Sequence, residues 1–218
     1  SGAMLSVAGP VSQDGFSVVL TNSGHLFLAE ELEDTLGCQV WFENDFVALA
    51  HGLDCFVELL QLGGDSKSGT VSAVLGPGSG LGMATILREE NCLRVLASEG
   101  GHADFAPGSH LESEIWSVLA MDSKYVSWER VLSGNGLVRL YQVMCQVWGS
   151  KCSNYKAEDI TRLGVSLDDP ICHQTLETFY GILGSAAGNF ALTVGALGGV
   201  YLAGSIVPAT SDFAVKSP

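Results

Sequence analysis

Five short stretches of this chain carry residue types that can do chemistry on a small polar ligand. Gly76-Pro77-Gly78-Ser79-Gly80-Leu81-Gly82 lies between two apolar runs. Its glycines allow backbone conformations closed to other residues and let amide N–H groups approach an anion without side-chain obstruction. The same run reads equally as a glycine hairpin without a ligand. It lacks the Lys-Ser/Thr pair of a Walker loop and the opening helix of a dinucleotide fingerprint. Glu43-Asn44-Asp45-Phe46 ends an apolar stretch. A carboxylate beside a carboxamide can grip a hydroxyl and accept its proton, which makes Asp45 a candidate base; Asn44 or Asp45 can also simply cap the next helix. In Glu99-Gly100-Gly101-His102 the glycines permit a sharp turn that brings a carboxylate and an imidazole onto one polyol, although a plain surface turn has the same composition. No third or fourth ligand stands at metal-binding spacing, so no metal site is expected in the protein itself. Glu129-Arg130 reads as a solvated helix face or an ion pair, and Gly198-Gly199 as a helix stop before a strand.

The elements that must position these residues alternate. Strands are predicted at Leu5–Ala8, Phe16–Leu20 and Val40–Phe42, with an amphipathic helix over Leu26–Leu36 and another from Phe46 to about Phe56. An exposed turn is expected at Gly63–Gly69, then strands at Val71–Leu75 and Met83–Leu87 joined by glycines, and helices around Glu112–Ala120 and Leu137–Val147. Lys151–Asp169 is polar enough for a mobile connection or a capped helix. Thr178–Ser211 carries no charge and is long enough to span a bilayer. Gly195, Gly198, Gly199 and Gly204, a central Asn189 and the lack of a flanking basic cluster argue instead for a buried helix to about Leu197, a tight turn and a core strand over Val200–Ala203. The alternation predicts an α/β sheet architecture.

Composition narrows the function classes. The chain has 218 residues, 47% of them hydrophobic, and 10 Lys and Arg against 24 Asp and Glu, for a formal net charge of −14. A nucleic-acid backbone would be repelled, and the basic residues are scattered singly, as at Lys67, Arg88, Lys151, Lys156 and Lys216. A phosphorylated small molecule would therefore be held mainly by backbone amides. Cys38, Cys55, Cys92, Cys145, Cys152 and Cys172 form no C-x-x-C pair and read as reduced cytosolic thiols. The first residues, Ser1-Gly2-Ala3-Met4, do not have the form of a signal peptide.

The order of the motifs is more specific than any one of them. Asn44-Asp45-Phe46, the Gly78-x-Gly80-Leu81-Gly82 loop, Glu99-Gly100-Gly101-His102-x-Asp104-Phe105-Ala106-Pro107, Ser127-x-Glu129-Arg130-Val131-Leu132-Ser133-Gly134 and Gly198-Gly199-Val200-x-x-Ala203-Gly204-x-Ile206-Val207-Pro208 together resemble the bacterial glucokinase family of the hexokinase/actin-like superfamily, from about Leu5 to Pro208. The resemblance implies an α/β fold of the ribonuclease H-like/actin-like, two-lobed sugar-kinase type with an incomplete small lobe. Residues 1–55 would form the partial small lobe carrying the catalytic Asp. Residues 56–218 would form the large lobe with the sugar- and nucleotide-binding motifs.

By the same resemblance Asp45 corresponds to the base that takes the proton of the sugar 6-hydroxyl, and Asn44, Glu99, His102 and Glu129 to the sugar-hydroxyl ligands. Gly78, Ser79, Gly80 and Gly82 correspond to a second phosphate-binding loop, and Gly198, Gly199, Gly204 and Ser205 to the adenosine-binding turn. The cofactors implied are ATP and Mg2+, the partners glucose and ATP, with no nucleic acid and no membrane; a homodimer is one assembly open to it, and the compartment implied is the cytoplasm. The family's Asp-x-Gly-Gly-Thr phosphate loop is expected ahead of Leu5 and its C-terminal segment after Pro208; the sequence holds neither. Ser205 replaces a usual glycine, and His25 stands where a Trp is common after Thr21-Asn22. A sugar-binding protein without catalysis, or a kinase of another hexose such as fructose or acetyl-mannosamine, is the alternative.

Overall fold

The computed structural model describes residues 2–20, 23–56, 59–65, 68–90 and 92–217. Thr21 and Asn22, which precede His25, and Ser66 and Lys67 of the Gly63–Gly69 turn lie outside the described residues. The backbone groups into two units, one of Ser1–Leu59 with Ala84–Ala97 and the other of Leu60–Met83 with Ser98–Pro218.

In the first unit β1 (Gly2–Val7) runs parallel to β4 (Gln39–Asn44), in register from Gly2 opposite Gln39 to Val7 opposite Asn44. Between them β2 (Ser17–Val19) and β3 (Leu26–Leu28) form an antiparallel pair. Leu26–Leu28 had the periodicity of a helix start, but as a strand it sets Phe27 opposite Val18, which is fully buried. That cross-strand apolar pair and its ladder bonds outweigh one extra helical turn. α1 (Ala29–Leu36) begins only at Ala29, with Glu30 and Glu31 in its first turn, and stops at Gly37 in the left-handed region (φ 67°). Val18, Ala29, Val40 and Phe42 make the small core, with Leu5, Val7, Phe27 and Leu32 against it. α2 (Asp45–Gly52) follows β4 and gives way to a 3-10 turn at Leu53–Cys55, so the helix is shorter than its sequence pattern.

β5 (Val71–Pro77) and β6 (Leu81–Glu89) are the strands on either side of the glycines, and β7 (Cys92–Ser98) follows; with β8 (Val200–Leu202) they give the order β7-β6-β5-β8. β5 and β8 are parallel, with Ala73, Val74 and Leu75 opposite Val200, Tyr201 and Leu202.

The second unit packs helices beside β5. α3 (His110–Met121) is capped by Ser109, α4 (Gly134–Val147) by Ser133 and α6 (Pro170–Val194) by Asp169, each side chain accepting from N–H groups of the first turn. Pro170 begins α6, where its missing N–H costs nothing. The polar stretch Lys151–Asp169 resolves into α5 (Ala157–Ser166), with the Asp159 carboxylate accepting from Lys156 N–H. Phe105, Ile115, Leu137, Leu140, Ile160 and Phe179 are among the fully buried side chains of one core. Each contributes about 1.5–3 kcal/mol by leaving water.

α6 departs from expectation in its last turns. It is buried only to about Ala186, ends at Gly195 in the left-handed region (φ 67°), and leaves Leu192 and Leu197 exposed at 84% and 73%. Among the described residues no helix is long and apolar enough to cross a membrane. After β8 the chain closes with α7 (Ile206–Ala209) and α8 (Ser211–Ala214).

Candidate functional site

β5 and β8 run the same way, so the loops that leave their carboxyl ends emerge together, the place where open α/β sheets bind ligands. These loops are Gly78–Gly80 and Ala203–Ser205. They meet backbone to backbone. A Cβ on Gly76 would lie 2.5 Å from the Ala203 carbonyl carbon, and one on Gly204 (φ 82°) only 2.3 Å from the Pro77 oxygen. Any side chain there would drive the two loops apart. Ser205 Oγ lies 4.0 Å from where a Cβ on Gly78 would stand, so the hydroxyl borders the glycine loop.

The glycine loop is shaped by its own bonds and by the Ser127–Gly136 segment. Gly78 N–H donates to the Gly80 carbonyl (2.8 Å), and the Gly78 carbonyl accepts from Gly134 N–H (2.8 Å). Leu81 N–H donates to Glu129 Oε2 at 2.9 Å, across 48 residues of sequence. Among the described residues the N–H groups of Ser79 and Gly80 have no protein acceptor. Two adjacent free amides on a loop without large side chains can donate to a phosphate oxygen.

Glu129 is held just as firmly from behind. It sits in a 3-10 turn, Trp128–Arg130, whose Trp128 is buried and packs on Phe105 with ring centroids 5.2 Å apart. The Glu129 carbonyl accepts from Ser133 Oγ (2.9 Å), and the same oxygen atom of Ser133 accepts from Gly136 N–H (2.9 Å), so one hydroxyl ties the turn to the start of α4. Glu129 and Arg130 are half-buried rather than a solvated face. Arg130 Nε is buried with no hydrogen-bond partner among the described residues.

Glu99 and His102 reach the same neighbourhood through their glycines. Gly100–His102 is a single 3-10 turn in which a Cβ on Gly101 would stand 2.3 Å from the Leu81 carbonyl oxygen. Gly101 therefore lets this turn lie directly on the first residue of β6, whose N–H is the one Glu129 holds. On its other side, Trp128 N–H donates to the Ala103 carbonyl (3.0 Å) and Phe105 N–H to the Val126 carbonyl (2.8 Å). His102 Nε2 lies 3.7 Å from Glu99 Oε2, with both side chains open to solvent. Glu99, His102, Glu129, the glycine loop and Gly204–Ser205 thus share one region of the second unit.

Gly198 and Gly199 do not join it. Gly198 N–H donates to the Val71 carbonyl (2.7 Å) and the Gly199 carbonyl accepts from Ala73 N–H (3.0 Å), at the amino ends of β5 and β8. The intervening strand separates them from Ser205 by roughly 15–20 Å at about 3.3 Å per residue. The small size of Gly198 serves a tight approach to Gly69 and Ser72, while Gly199 holds a positive φ of 104° in open space.

Asn44 and Asp45 belong to the first unit, at the head of α2. Asn44 is the cap: its Oδ1 accepts from Phe46 N–H (2.9 Å) and Val47 N–H (3.2 Å), and its Nδ2 donates to the Gly9 carbonyl (3.4 Å). Asp45 is the first helical residue, exposed, with Oδ1 accepting from Phe46 N–H at 3.0 Å. Among the described residues no group of three or more His, Cys, Asp or Glu could hold a metal ion.

Sequence reasoning held Ser133 and Gly134 only as letters of a motif, with no role assigned, and missed the Glu129–Leu81 bond. A signal existed for the first: Ser133 ahead of Gly134 and the apolar run of α4 has the pattern of a helix cap.

A glycine hairpin and a glycine turn at the carboxyl ends of parallel strands belong to the actin-like sugar-kinase fold. Among solved structures, the glucokinase of an Antarctic psychrotroph matches with a TM-score of 0.82 and 34% identity, covering 99% of this chain and 67% of that one. A ROK family glucokinase from Streptomyces griseus, solved in complex with glucose and AMPPNP, matches with a TM-score of 0.68 at 20% identity over 97% of this chain and 69% of its own, a likeness of fold. In sequence, the glucokinase of Chromobacterium violaceum is 39% identical over 220 residues, 99% of this chain and 63% of that protein. The family model for glucokinase matches residues 1–218, and the chain belongs to the glucokinase family. It spans just under two-thirds of the length of the first curated relatives it matches.

Proposed function

We propose that the protein phosphorylates glucose, with the terminal phosphoryl group of ATP passing to the sugar 6-hydroxyl. The observation that carries this reading is the carboxylate of Glu129. It is bonded through Oε2 to the glycine loop, and its turn is tied to the segment that bears Glu99 and His102.

In this reading Glu99, His102 and Glu129 receive the sugar hydroxyls. Carboxylates accept from O–H, and the imidazole does either according to its tautomer. Asn44 adds a donor: its oxygen is committed to the helix cap and one Nδ2 hydrogen to the Gly9 carbonyl, and the second Nδ2 hydrogen serves a ligand oxygen. Asp45 serves as the base, its carboxylate accepting the 6-hydroxyl proton as the oxygen attacks phosphorus. The free amides of Ser79 and Gly80 and the Ser205 hydroxyl take the nucleotide's phosphate oxygens. Mg2+, when bound with the nucleotide, neutralises phosphate charge. A protein of net charge −14 needs that neutralisation to accept an anion. The unpaired cysteines and the use of ATP suit the cytoplasm.

Calorimetry with glucose and then with MgATP, followed by a coupled assay for glucose 6-phosphate, tests the proposal. Uptake of both ligands with product formed supports it. Glucose uptake without nucleotide uptake or product leaves only a sugar-binding role, and a competing series with fructose and N-acetylmannosamine exposes another preferred sugar.

A further inference from the structure

We infer that Glu129 is a positioning residue that couples the sugar site to the glycine loop, so that each is ordered by occupancy of the other. This deepens the reading above and rests on it. The two oxygens of the Glu129 carboxylate have different work. Oε2 accepts from Leu81 N–H at 2.9 Å, whereas Oε1 accepts no hydrogen bond among the described residues. The carboxylate cannot move away from the loop or toward it without consequence. A Cβ on Gly80 would come within 2.5 Å of Oε2 and 3.2 Å of Cδ, so the group lies in contact with the bare α-carbon of Gly80. Its backbone is fixed by the Ser133 hydroxyl.

A sugar hydroxyl donating to Oε1 therefore immobilises a carboxylate whose other oxygen holds the first amide of β6. That amide follows directly on Ser79 and Gly80, the two whose N–H groups are free for phosphate. By linkage the effect is mutual: a phosphate oxygen on the loop steadies Glu129 and raises affinity for the sugar. Gly80 is then required in this loop for the seat it leaves to Glu129, beyond any approach of its own amide to an anion.

The test is glucose binding by calorimetry in a double-mutant cycle of Gly80→Ala and Glu129→Asp, with hydrogen exchange at the Leu81 amide. Gly80→Ala should weaken glucose about tenfold by pushing the carboxylate off its seat. In a Glu129→Asp background the shorter side chain no longer reaches the loop, and the same Gly80→Ala change should cost less than about threefold. Glucose should slow exchange of the Leu81 amide in the unaltered protein, a measurement that needs no variant. Glu129→Gln should keep slow exchange at Leu81 and lose glucose, because its one acceptor oxygen turns to the amide and presents NH2 to the hydroxyl. Equal losses from Gly80→Ala in both backgrounds, or a Leu81 amide indifferent to glucose, would overturn the coupling while leaving the sugar site standing. An unaltered protein that takes up no glucose removes the sugar site and the coupling with it.

Discussion

Ser133→Ala removes a single oxygen and should be felt well beyond its own helix. In the native protein that hydroxyl accepts from Gly136 N–H at 2.9 Å and donates to the Glu129 carbonyl at 2.9 Å, with Ser133 only 2% exposed. Water cannot readily replace either bond at that depth. Loss of an N-cap costs about 1 kcal/mol, and leaving a buried donor and acceptor short of partners raises the total to roughly 2–3 kcal/mol. For a chain of this size each kcal/mol lowers Tm by about 2–4 °C, so a fall of roughly 4–12 °C is expected. Thermal unfolding followed by near-ultraviolet circular dichroism reports on the right unit, since Trp116, Trp128 and Trp148 all lie within it. Ser117→Ala is the control: its hydroxyl also bonds a carbonyl, that of Ser113 at 2.8 Å, but on an exposed helix face. It should move Tm by less than about 2 °C, as exposed substitutions usually do. If Ser133→Ala matches that control, the hydroxyl does not anchor the Glu129 turn and the account of the site's rigidity fails.

Asp45→Asn should leave glucose affinity within about twofold and remove about 10²–10⁴ of turnover in a coupled glucose 6-phosphate assay; undiminished turnover would take the role of base from Asp45. Leu167, which ends α5 with φ 62° and is two-thirds exposed at 66%, holds a left-handed conformation that favours glycine. Leu167→Gly should therefore stabilise the fold by about 1 kcal/mol, read as a higher urea midpoint, and a lower midpoint would contradict the strain argument. Burial, followed by the nearby Asp169 carboxylate, pushes the Cys172 thiol from 9.0 to about 12. Burial raises the Tyr180 phenol as well. Groups that ionise earlier in the unfolded chain than in the native one make the native state lose stability as pH rises, so the urea midpoint should fall steadily above pH 9. A midpoint flat from there toward pH 12 would show that these groups are open to solvent.

Local patterns in the chain determined much of this protein. Short apolar runs placed β1, β5 and β6, the last two buried almost throughout; the glycines between Leu75 and Met83 placed the hairpin, and Asn44 before an apolar stretch announced the start of α2. Such features depend on neighbours a few residues away, and the resemblance of the ordered motifs extended them to Asp45, Glu99, His102 and Glu129. Where tertiary contacts outweighed local preference, the sequence was silent or misleading. Leu26–Leu28 became a strand because Phe27 found Val18. β7 went unforeseen because Val95 and Leu96 are adjacent and break the alternation that marks a half-buried strand. Gly198 and Gly199 share a motif with Gly204 and Ser205, yet an extended strand carries the pairs to opposite ends of the sheet. The bond between Leu81 and Glu129 spans 48 residues, and the seat that Gly80 leaves for that carboxylate exists only once β5, β6 and the Trp128–Arg130 turn have packed. Spacing along a chain encodes which faces an element will bury; which distant side chain meets a given amide is decided by the packing of those faces, and that is where this site acquires its geometry.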